Sequence, residues 1–198
     1  MTTTIAQPKA MSFAEFLEFE QRSEVKHEFN KGKTIEMPGG SQRHSEIALR
    51  IGTFLTLCIM RKGSEFHTFN GDMAIYMPPI DRSVYSDGCV VEGKPINIDG
   101  TKLTIVNPKL IIEVASPSTM AYDRDEKFKN YRLLPAFREY LLVSQNEPTI
   151  DHYYLKDPKK GVWLYQQISG LDASIRLQSI GCTLRLKNIY ANLSSTED

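Results

Sequence analysis

The segment Asn107-Pro-Lys-Leu-Ile-Ile-Glu113-Val-Ala-Ser-Pro-Ser-Thr119 leads from a loop through an apolar run into a turn. The run from Leu110 to Val114 is short and contains β-branched residues, which is typical of a buried strand. Glu113 interrupts this run, and a buried carboxylate without a partner costs several kcal/mol. The sequence therefore predicts that a compensating group lies beside Glu113.

The composition is typical of one globular domain. The chain has 198 residues, of which 41% are hydrophobic and 24% are charged, so it is long enough to bury one core. We expect a disordered tail over residues 1–11 and a single domain over residues 12–198. Lys+Arg and Asp+Glu each number 24, so the chain lacks the overall basic charge of many duplex-binding proteins.

The cysteines indicate no disulfide framework. Cys58, Cys89 and Cys182 are odd in number and widely spaced, and each lies in or beside an apolar segment. We interpret all three as small buried hydrophobic residues. Residues 1–10 lack the apolar core of a signal peptide, and no apolar run is long enough to span a membrane. We therefore expect a cytoplasmic protein without a membrane partner.

The hydrophobic periodicity predicts an α/β or α+β fold. Helices are predicted over residues 13–19, 42–61 and 123–134, the first two capped by Ser12 and Ser41. Strands are predicted over residues 26–37 (a hairpin), 66–70, 72–77, 83–92, 109–115, 139–144, 150–155, 162–168 and 175–186. Because one strand–helix–strand unit lies among hairpins, we expect a single domain with a mixed central β-sheet flanked by helices.

Two carboxylates are candidates for a shared site. Alternation along a strand places Ile111, Glu113 and Ala115 on one face. Asp87 lies at the start of another apolar strand, so the two acids meet at one edge of the sheet if these strands are neighbours. Such carboxylates repel each other unless a cation lies between them or one stays protonated. Oxygen ligands of this kind suit Mg²⁺ or Mn²⁺.

The helix predicted after Ser116 carries a candidate base or cation. Asp123 followed by Glu126 resembles a capping box, so we expect Asp123 to cap this helix. Lys127 then lies in the first turn, directed back toward the strand end, where an ammonium can position water or stabilise developing charge. The alternative is an ordinary ion pair between Asp123 and Lys127 on an exposed helix face.

The same residues resemble a known family. The run Pro108-Lys-Leu-Ile-Ile-Glu-Val-Ala-Ser-Pro-Ser-Thr119, the spacing Asp123-x-x-x-Lys127-x-x-x-Tyr131 and Glu139-Tyr-Leu-Leu-Val143 are similar to the Uma-type restriction endonucleases of the PD-(D/E)XK nuclease superfamily. Further matches are Glu28-Phe-Asn-Lys-Gly-Lys33, Met37-Pro-Gly-Gly-Ser-x-x-His44 and Ile189-Tyr-Ala-Asn-Leu193. The resemblance covers roughly residues 12–193 and implies a restriction-endonuclease-like core.

This resemblance implies a metal-dependent endonuclease that hydrolyses DNA phosphodiester bonds. By position, the metal ligands would be Asp87, Glu113 and the backbone carbonyl of Val114, with Mg²⁺ or Mn²⁺ as cofactor. The chain departs from the superfamily pattern at two positions, since Ser86 replaces a proline and Ala115 replaces the catalytic lysine. Our hypothesis is that Lys127 takes over the role of that lysine.

Two further residues are supporting candidates. Glu28 would add a carboxylate to the metal site, although Lys26, Lys31 and Lys33 nearby make a surface ion pair the alternative. His44 would contact a phosphate or donate a hydrogen bond to Glu28, and a structural histidine is its alternative.

The neutral net charge and the replacements at Ser86 and Ala115 leave a second function open. This alternative is a catalytically inactive nuclease-fold module that binds nucleic acid or protein. For the nuclease itself, cutting both strands of DNA is simplest with two sites, so we also expect a two-fold homodimer.

Overall fold

The computed structural model describes residues 10–63, 65–98 and 102–193, so the tail predicted over residues 1–11 lies almost wholly outside the described part. The strands are β1 (His27–Asn30), β2 (Lys33–Glu36), β3 (Phe66–Asn70), β4 (Ala74–Met77), β5 (Arg82–Tyr85), β6 (Gly88–Glu92), β7 (Thr104–Ile105), β8 (Pro108–Ala115), β9 (Glu139–Ser144), β10 (Thr149–Asp157), β11 (Val162–Ser169), β12 (Ser174–Leu177) and β13 (Cys182–Arg185).

Helical structure is found at all three predicted positions, and its bounds are as follows. They are α1 (Phe13–Glu20), α2 (Gln42–Lys62), α3 (Met120–Tyr122), a π-helical turn (Asp123–Lys127), α4 (Phe128–Tyr131) and α5 (Leu186–Tyr190), with a 3₁₀ turn at Pro78–Ile80. Ser12 and Glu15 form the expected capping box of α1. The side chain of Ser41 accepts a hydrogen bond from the amide of His44 at the start of α2, as expected.

Two larger sheets and one hairpin make up the β structure. The six-stranded sheet has the order β11-β10-β9-β8-β6-β3, in which β8 and β9 are parallel and the other pairs antiparallel. The five-stranded sheet has the order β2-β1-β5-β4-β7, and β12 pairs with β13 alone. The predicted mixed central sheet flanked by helices is confirmed.

Two predicted strands are each divided in the structure. Residues 83–92 form β5 in the five-stranded sheet and β6 in the six-stranded sheet, because the chain crosses between the sheets at Ser86 and Asp87. Residues 175–186 form the hairpin β12–β13, whose turn contains Gly181 at a positive φ of 67°. The first division matters for the site because Asp87 lies at the crossing.

The central strand β8 is buried on both faces. Leu110, Ile112 and Val114 lie in the core cluster formed with the apolar face of α2. Ile111 and Ala115 lie in the cluster on the other face. This second face is covered by the segment from α3 to α4, which follows β8 in the chain and brings Tyr131 into that cluster. Glu113 therefore projects toward the α3–α4 segment.

The prediction that all three cysteines are unpaired is wrong. Cys58 on α2 and Cys182 on β13 form a disulfide across a sequence separation of 124 residues, while Cys89 is a buried free thiol. Packing of α2 against β13 brings the two sulfur atoms together, and sequence spacing alone does not reveal this contact. Among the helices that the structure describes, none is both long and apolar enough to cross a membrane.

Candidate active site

The two candidate carboxylates lie next to each other, because β6, which follows Asp87 directly, is the neighbour of β8, which carries Glu113. Strands β6 and β8 pair antiparallel with Gly88 opposite Ile112, so Asp87 lies opposite Glu113. The Asp87 amide donates to the Ile112 carbonyl at 3.1 Å. The Val114 amide in turn donates to Oδ2 of Asp87 at 2.6 Å. These two hydrogen bonds, one to the backbone and one to the side chain of Asp87, hold it against the end of β8, beside Glu113.

Glu113 is buried but has two hydrogen-bonding partners. Its side chain is 4% exposed and lies 3.1 Å from the ammonium of Lys127 through Oε2. The hydroxyl of Tyr131 donates to Oε1 at 2.6 Å. Burial raises the pKa of Glu113 to about 8, although the Lys127 charge lowers it, and the nearby charge of Asp87 raises it further. The carboxylate is therefore costly to ionise without an additional positive charge.

Lys127 is the cation that reaches this pair. Its Nζ lies 3.4 Å from Oδ1 of Asp123 and 3.5 Å from the carbonyl oxygen of Tyr85, in addition to Glu113. Burial disfavours the charged form, but the carboxylates of Glu113 and Asp123 outweigh it and raise the pKa of Lys127. The i,i+4 ion pair between Asp123 and Lys127 is therefore formed. Its expected place on an exposed helix face is wrong, because Lys127 is 9% exposed and Asp123 is 4% exposed.

Asp123 does not cap the helix that carries Lys127. The helical segment begins at Met120 after a Ser116–Thr119 turn, in which the Met120 amide donates to the Ser116 carbonyl at 3.0 Å. Asp123 is thus inside the segment, at the start of the π-helical turn. The capping-box prediction was wrong because the Ser-Pro-Ser-Thr turn already begins the helix. Such π turns often occur at functional sites.

Glu28 faces the same cluster from the five-stranded sheet. Burial raises the pKa of Glu28, while the charges of Lys127 and Arg82 lower it. Oε2 of Glu28 lies 3.9 Å from the guanidinium of Arg82. Lys26 pairs instead with Asp72, at 2.5 Å. The structure thus places Glu28 beside Arg82, which the sequence analysis did not single out, and within electrostatic range of Lys127. A role for Glu28 in binding a metal stays a prediction.

Arg82 joins Glu28 to the α3–α4 segment. Its guanidinium donates to Oε1 of Glu126 at 2.5 Å and also to the hydroxyl of Tyr122. Sequence reasoning missed both Arg82 and Tyr122 because they come together only when β5 packs on this segment. Tyr131 could have been identified as a site residue from the sequence, since it lies four residues after Lys127 in the family-like spacing Asp123-x-x-x-Lys127-x-x-x-Tyr131.

His44 contacts Asp87 rather than Glu28. Its Nε2 lies 2.8 Å from Oδ1 of Asp87, and this hydrogen bond raises the pKa of His44, while burial lowers it. A Cβ atom at Gly40 would lie 3.0 Å from Cδ2 of His44, so this glycine leaves room for the imidazole ring. The small-residue turn and His44 thus position Asp87 from the α2 side of the sheet.

Asp87 and Glu113 carry the carboxylate oxygens that a hard divalent cation prefers as ligands. Within residues 10–63, 65–98 and 102–193, no three His, Cys, Asp or Glu side chains are grouped as a metal site. Mg²⁺ commonly takes only one or two carboxylates and keeps several waters. A carboxylate oxygen that accepts one hydrogen bond retains a second lone pair, so Asp87 and Glu113 can each still coordinate a metal.

Comparison with known proteins identifies the family. The Uma2 family, described as "Putative restriction endonuclease", matches residues 13–187. The chain belongs to this family. Two Synechocystis sp. relatives, both described as uncharacterized proteins, are sll1609 and slr1290. The first is 30% identical over 86% of this chain and 94% of its own length. The second is 35% identical over 93% of each chain.

A solved structure shares the fold of this chain. It is the crystal structure of a "putative nuclease belonging to DUF820" from Anabaena variabilis, with a TM-score of 0.73. The alignment covers 93% of this chain and 99% of that chain, at 17% sequence identity. At this identity the likeness establishes the fold alone, and the indication of a nuclease comes from the family and its description.

Proposed function

We propose that this protein is a metal-dependent endonuclease that hydrolyses DNA phosphodiester bonds by attack of water. The observation that carries the proposal is the buried Glu113, which lies opposite Asp87 and 3.1 Å from the ammonium of Lys127. An acid pair beside a buried cation, at the end of two neighbouring strands, matches what phosphodiester hydrolysis requires. Membership of a restriction endonuclease family supports the same reaction class.

Asp87, Glu113 and the carbonyl of Val114 would hold the metal, with Mg²⁺ or Mn²⁺ as the ion. When bound, such an ion polarises the scissile phosphate and lowers the pKa of a water ligand. The need for charge compensation at Glu113 supports this assignment, since burial and Asp87 both raise its pKa. Glu28 is close enough to influence the same cluster electrostatically.

Lys127 acts as a charged hydrogen-bond donor. Because its neighbouring carboxylates raise its pKa, the ammonium stays protonated and is suited to orient the water or stabilise charge on the phosphate. Tyr131 fixes Oε1 of Glu113, and His44 fixes Oδ1 of Asp87. Arg82 holds the α3–α4 segment through Glu126. These three residues position the groups that contact metal and substrate.

A module that binds nucleic acid or protein without cutting is the second candidate. It is favoured by Ala115, which occupies the usual lysine position and is 1% exposed within an apolar cluster. No cation can be supplied from that position. The two candidates therefore differ in whether Lys127 restores the missing charge.

Cleavage assays separate the candidates. Supercoiled plasmid and single-stranded DNA are incubated with Mg²⁺ or Mn²⁺ and the parent protein, Asp87→Ala or Glu113→Gln. We expect nicking by the parent alone, since each substitution removes a proposed metal ligand. Cleavage that persists in both variants would contradict the site, and binding without cleavage by the parent would favour the second candidate.

Two further proposals have their own tests. Sedimentation of the parent with and without DNA tests the proposed homodimer, and cell fractionation tests the proposed cytoplasmic location.

A further inference from the structure

A long strand, β11, forms one edge of the six-stranded sheet. It has eight residues, pairs with β10 and ends the strand order. The pairing with β10 is regular from Trp163 to Ser169, and the register shift lies at the hairpin end, between Leu155 and Asp157. An edge strand of this kind presents a row of backbone N–H and C=O groups to which a further strand can bind.

The ladder shows which backbone groups of β11 face outward. The Gly170 amide donates to the Pro148 carbonyl at 2.9 Å, so the backbone of Gly170 is directed at the β10 side. Backbone groups alternate between the two sides of a strand, so those of Leu164, Gln166 and Ile168 are also directed at β10. The residues between them direct their amides and carbonyls to the open edge: Trp163, Tyr165, Gln167 and Ser169.

The sequence of β11 lacks the features that usually prevent sheet edges from pairing. Its residues, Val-Trp-Leu-Tyr-Gln-Gln-Ile-Ser, include no charged residue and no proline. The other edges of the two larger sheets are shorter, since β2 has four residues, including Lys33 and Glu36, β7 has two and β3 has five. Proteins commonly protect exposed edges by short length, charge or proline. A long, uncharged edge therefore favours a partner strand.

Apolar side chains are exposed along this edge on both faces of the sheet. Val162, Leu164 and Tyr165 are 42%, 47% and 55% exposed. Ile168 packs against the core cluster on the α2 side, and alternation places Leu164 on the same face. Tyr165 is on the opposite face, where its ring contacts that of Tyr153. A strand added to β11 would cover part of this apolar surface on each face.

We propose that β11 pairs antiparallel with β11 of a second copy of the chain, which joins two six-stranded sheets into one sheet. An antiparallel pair of identical strands has two-fold symmetry, so the same surface serves both copies. This pairing assigns a surface to the proposed homodimer. It goes beyond the proposed nuclease function and does not depend on whether the protein cleaves DNA.

The register of this pairing is decided by the side chains. Residues with outward backbone groups must lie opposite each other, which allows Tyr165 or Gln166 at the two-fold axis. With Gln166 at the axis, Leu164 lies opposite Ile168 of the second copy, and two apolar side chains meet. With Tyr165 at the axis, Leu164 would lie opposite a glutamine. Apolar cross-strand pairing thus favours Gln166 at the axis.

Charges at the two ends of β11 favour the same register and a second copy as the partner. Lys160 precedes β11 and Asp172 follows it; both are exposed, and neither forms an ion pair with another described residue. With Gln166 at the axis, Lys160 comes alongside Asp172 of the second copy, and the symmetry repeats this contact at the other end. Within one chain the two residues are separated by the length of β11, roughly 26 Å. The complementarity therefore exists only between copies.

The apolar face of α2 is the competing surface for a second copy. Leu49, Leu57 and Met60 on this helix are 70%, 48% and 71% exposed. A helix satisfies its own backbone hydrogen bonds, whereas the open edge of β11 offers backbone groups to a partner. The edge is favoured for this reason, and the α2 face is one outcome of the test.

Leu164→Lys and Leu49→Lys are the matched variants, because each adds a charge at an exposed leucine on a different candidate surface. Sedimentation equilibrium of the full chain, without DNA or metal, measures the dimer Kd. We expect Leu164→Lys to weaken the dimer about 100-fold, about tenfold for each of two symmetric positions. Leu49→Lys should dimerise like the parent. Circular dichroism shows whether both variants are folded.

A charge exchange between copies provides a second test. Lys160→Asp and Asp172→Lys should each weaken the dimer about tenfold, because each places like charges together at both ends. An equimolar mixture of the two variants should recover the parent Kd. One copy then carries two acidic end groups and the other two basic ones, so opposite charges meet at each end. An effect within one chain would not be recovered by mixing.

The outcomes separate this inference from the proposed function. A parent that stays monomeric, a Leu164→Lys variant that dimerises like the parent, or a loss confined to Leu49→Lys overturns the β11 interface. Failure of the mixture to recover the dimer also overturns it, and this result decides alone if Leu164→Lys does not fold. A monomeric parent that cleaves DNA leaves the nuclease function standing without this interface. A β11 dimer that never cleaves DNA supports the interface and contradicts the nuclease function.

Discussion

The ammonium of Lys127 lies 3.1 Å from the carboxylate of Glu113, although the two residues belong to different elements. Glu113 is on β8, and Lys127 is in the π-helical turn that packs over the same face of this strand. Ala115, the next residue of β8 on that face, is buried among apolar side chains. The helical segment thus supplies the cation that β8 itself lacks.

We predict that Lys127→Ala lowers the DNA cleavage rate by about 100-fold or more, the usual effect of losing a charge-stabilising donor. The measurement is single-turnover cleavage with saturating Mn²⁺, and Lys127→Arg should recover part of the rate because it restores the charge. Lys129→Ala is the matched control, since Lys129 is an exposed lysine of the same segment. Full metal-dependent activity in Lys127→Ala would place the role elsewhere.

The sequence predicted the parts of the site that depend on local pattern. Alternation along β8 placed Glu113 on one face, and the spacing to Lys127 indicated a helix that turns back over the strand. The sheet crossing at Ser86–Asp87 and the π-helical turn were missed, because both depend on which strands pair and how the segment packs. Arg82 was missed for the same reason, as its partners Glu126 and Tyr122 lie on another element.

Tyr131→Phe should destabilise the protein and slow cleavage. The tyrosine hydroxyl donates to the buried Oε1 of Glu113 at 2.6 Å, and leaving a buried acceptor without its donor costs about 1–3 kcal/mol. Thermal denaturation should show the loss, and the Mn²⁺ affinity should fall as Glu113 becomes less fixed. Tyr154→Phe removes the same atom from a partly exposed strand position and serves as control. An unchanged melting temperature in Tyr131→Phe would contradict this role.

His44→Gln should weaken metal binding without abolishing it. His44 contacts Oδ1 of Asp87 at 2.8 Å, and loss of a group that orients a metal ligand typically lowers affinity about 10- to 100-fold. Calorimetric titration with Mn²⁺ measures the change in Kd. Because the imidazole acts through Asp87, saturating Mn²⁺ should restore much of the cleavage rate in this variant. A rate that stays low at saturation would instead indicate direct contact of His44 with the substrate.

Divalent metal should raise the melting temperature of the protein. An ion that binds the folded state alone stabilises it by about 2.7 kcal/mol at a concentration 100 times its Kd. Scanning calorimetry of EDTA-treated protein, before and after addition of Mn²⁺, measures this shift. Glu113→Gln should remove it, whereas Glu147→Gln, at an exposed carboxylate, should keep it. A shift of the same size in Glu113→Gln would place the metal elsewhere.

The disulfide between Cys58 and Cys182 should contribute strongly to stability. It closes a loop with a sequence separation of 124 residues, and for a loop of about 100 residues the chain-entropy model gives about 4.7 kcal/mol. Chemical denaturation of the parent with and without dithiothreitol measures the contribution, and the double variant Cys58→Ser/Cys182→Ser should be insensitive to the reductant. Equal stability of the oxidised and reduced parent would contradict the prediction. Because cytoplasmic thiols are usually kept reduced, trapping the thiols in cell lysates with an alkylating agent would show which form the cell contains.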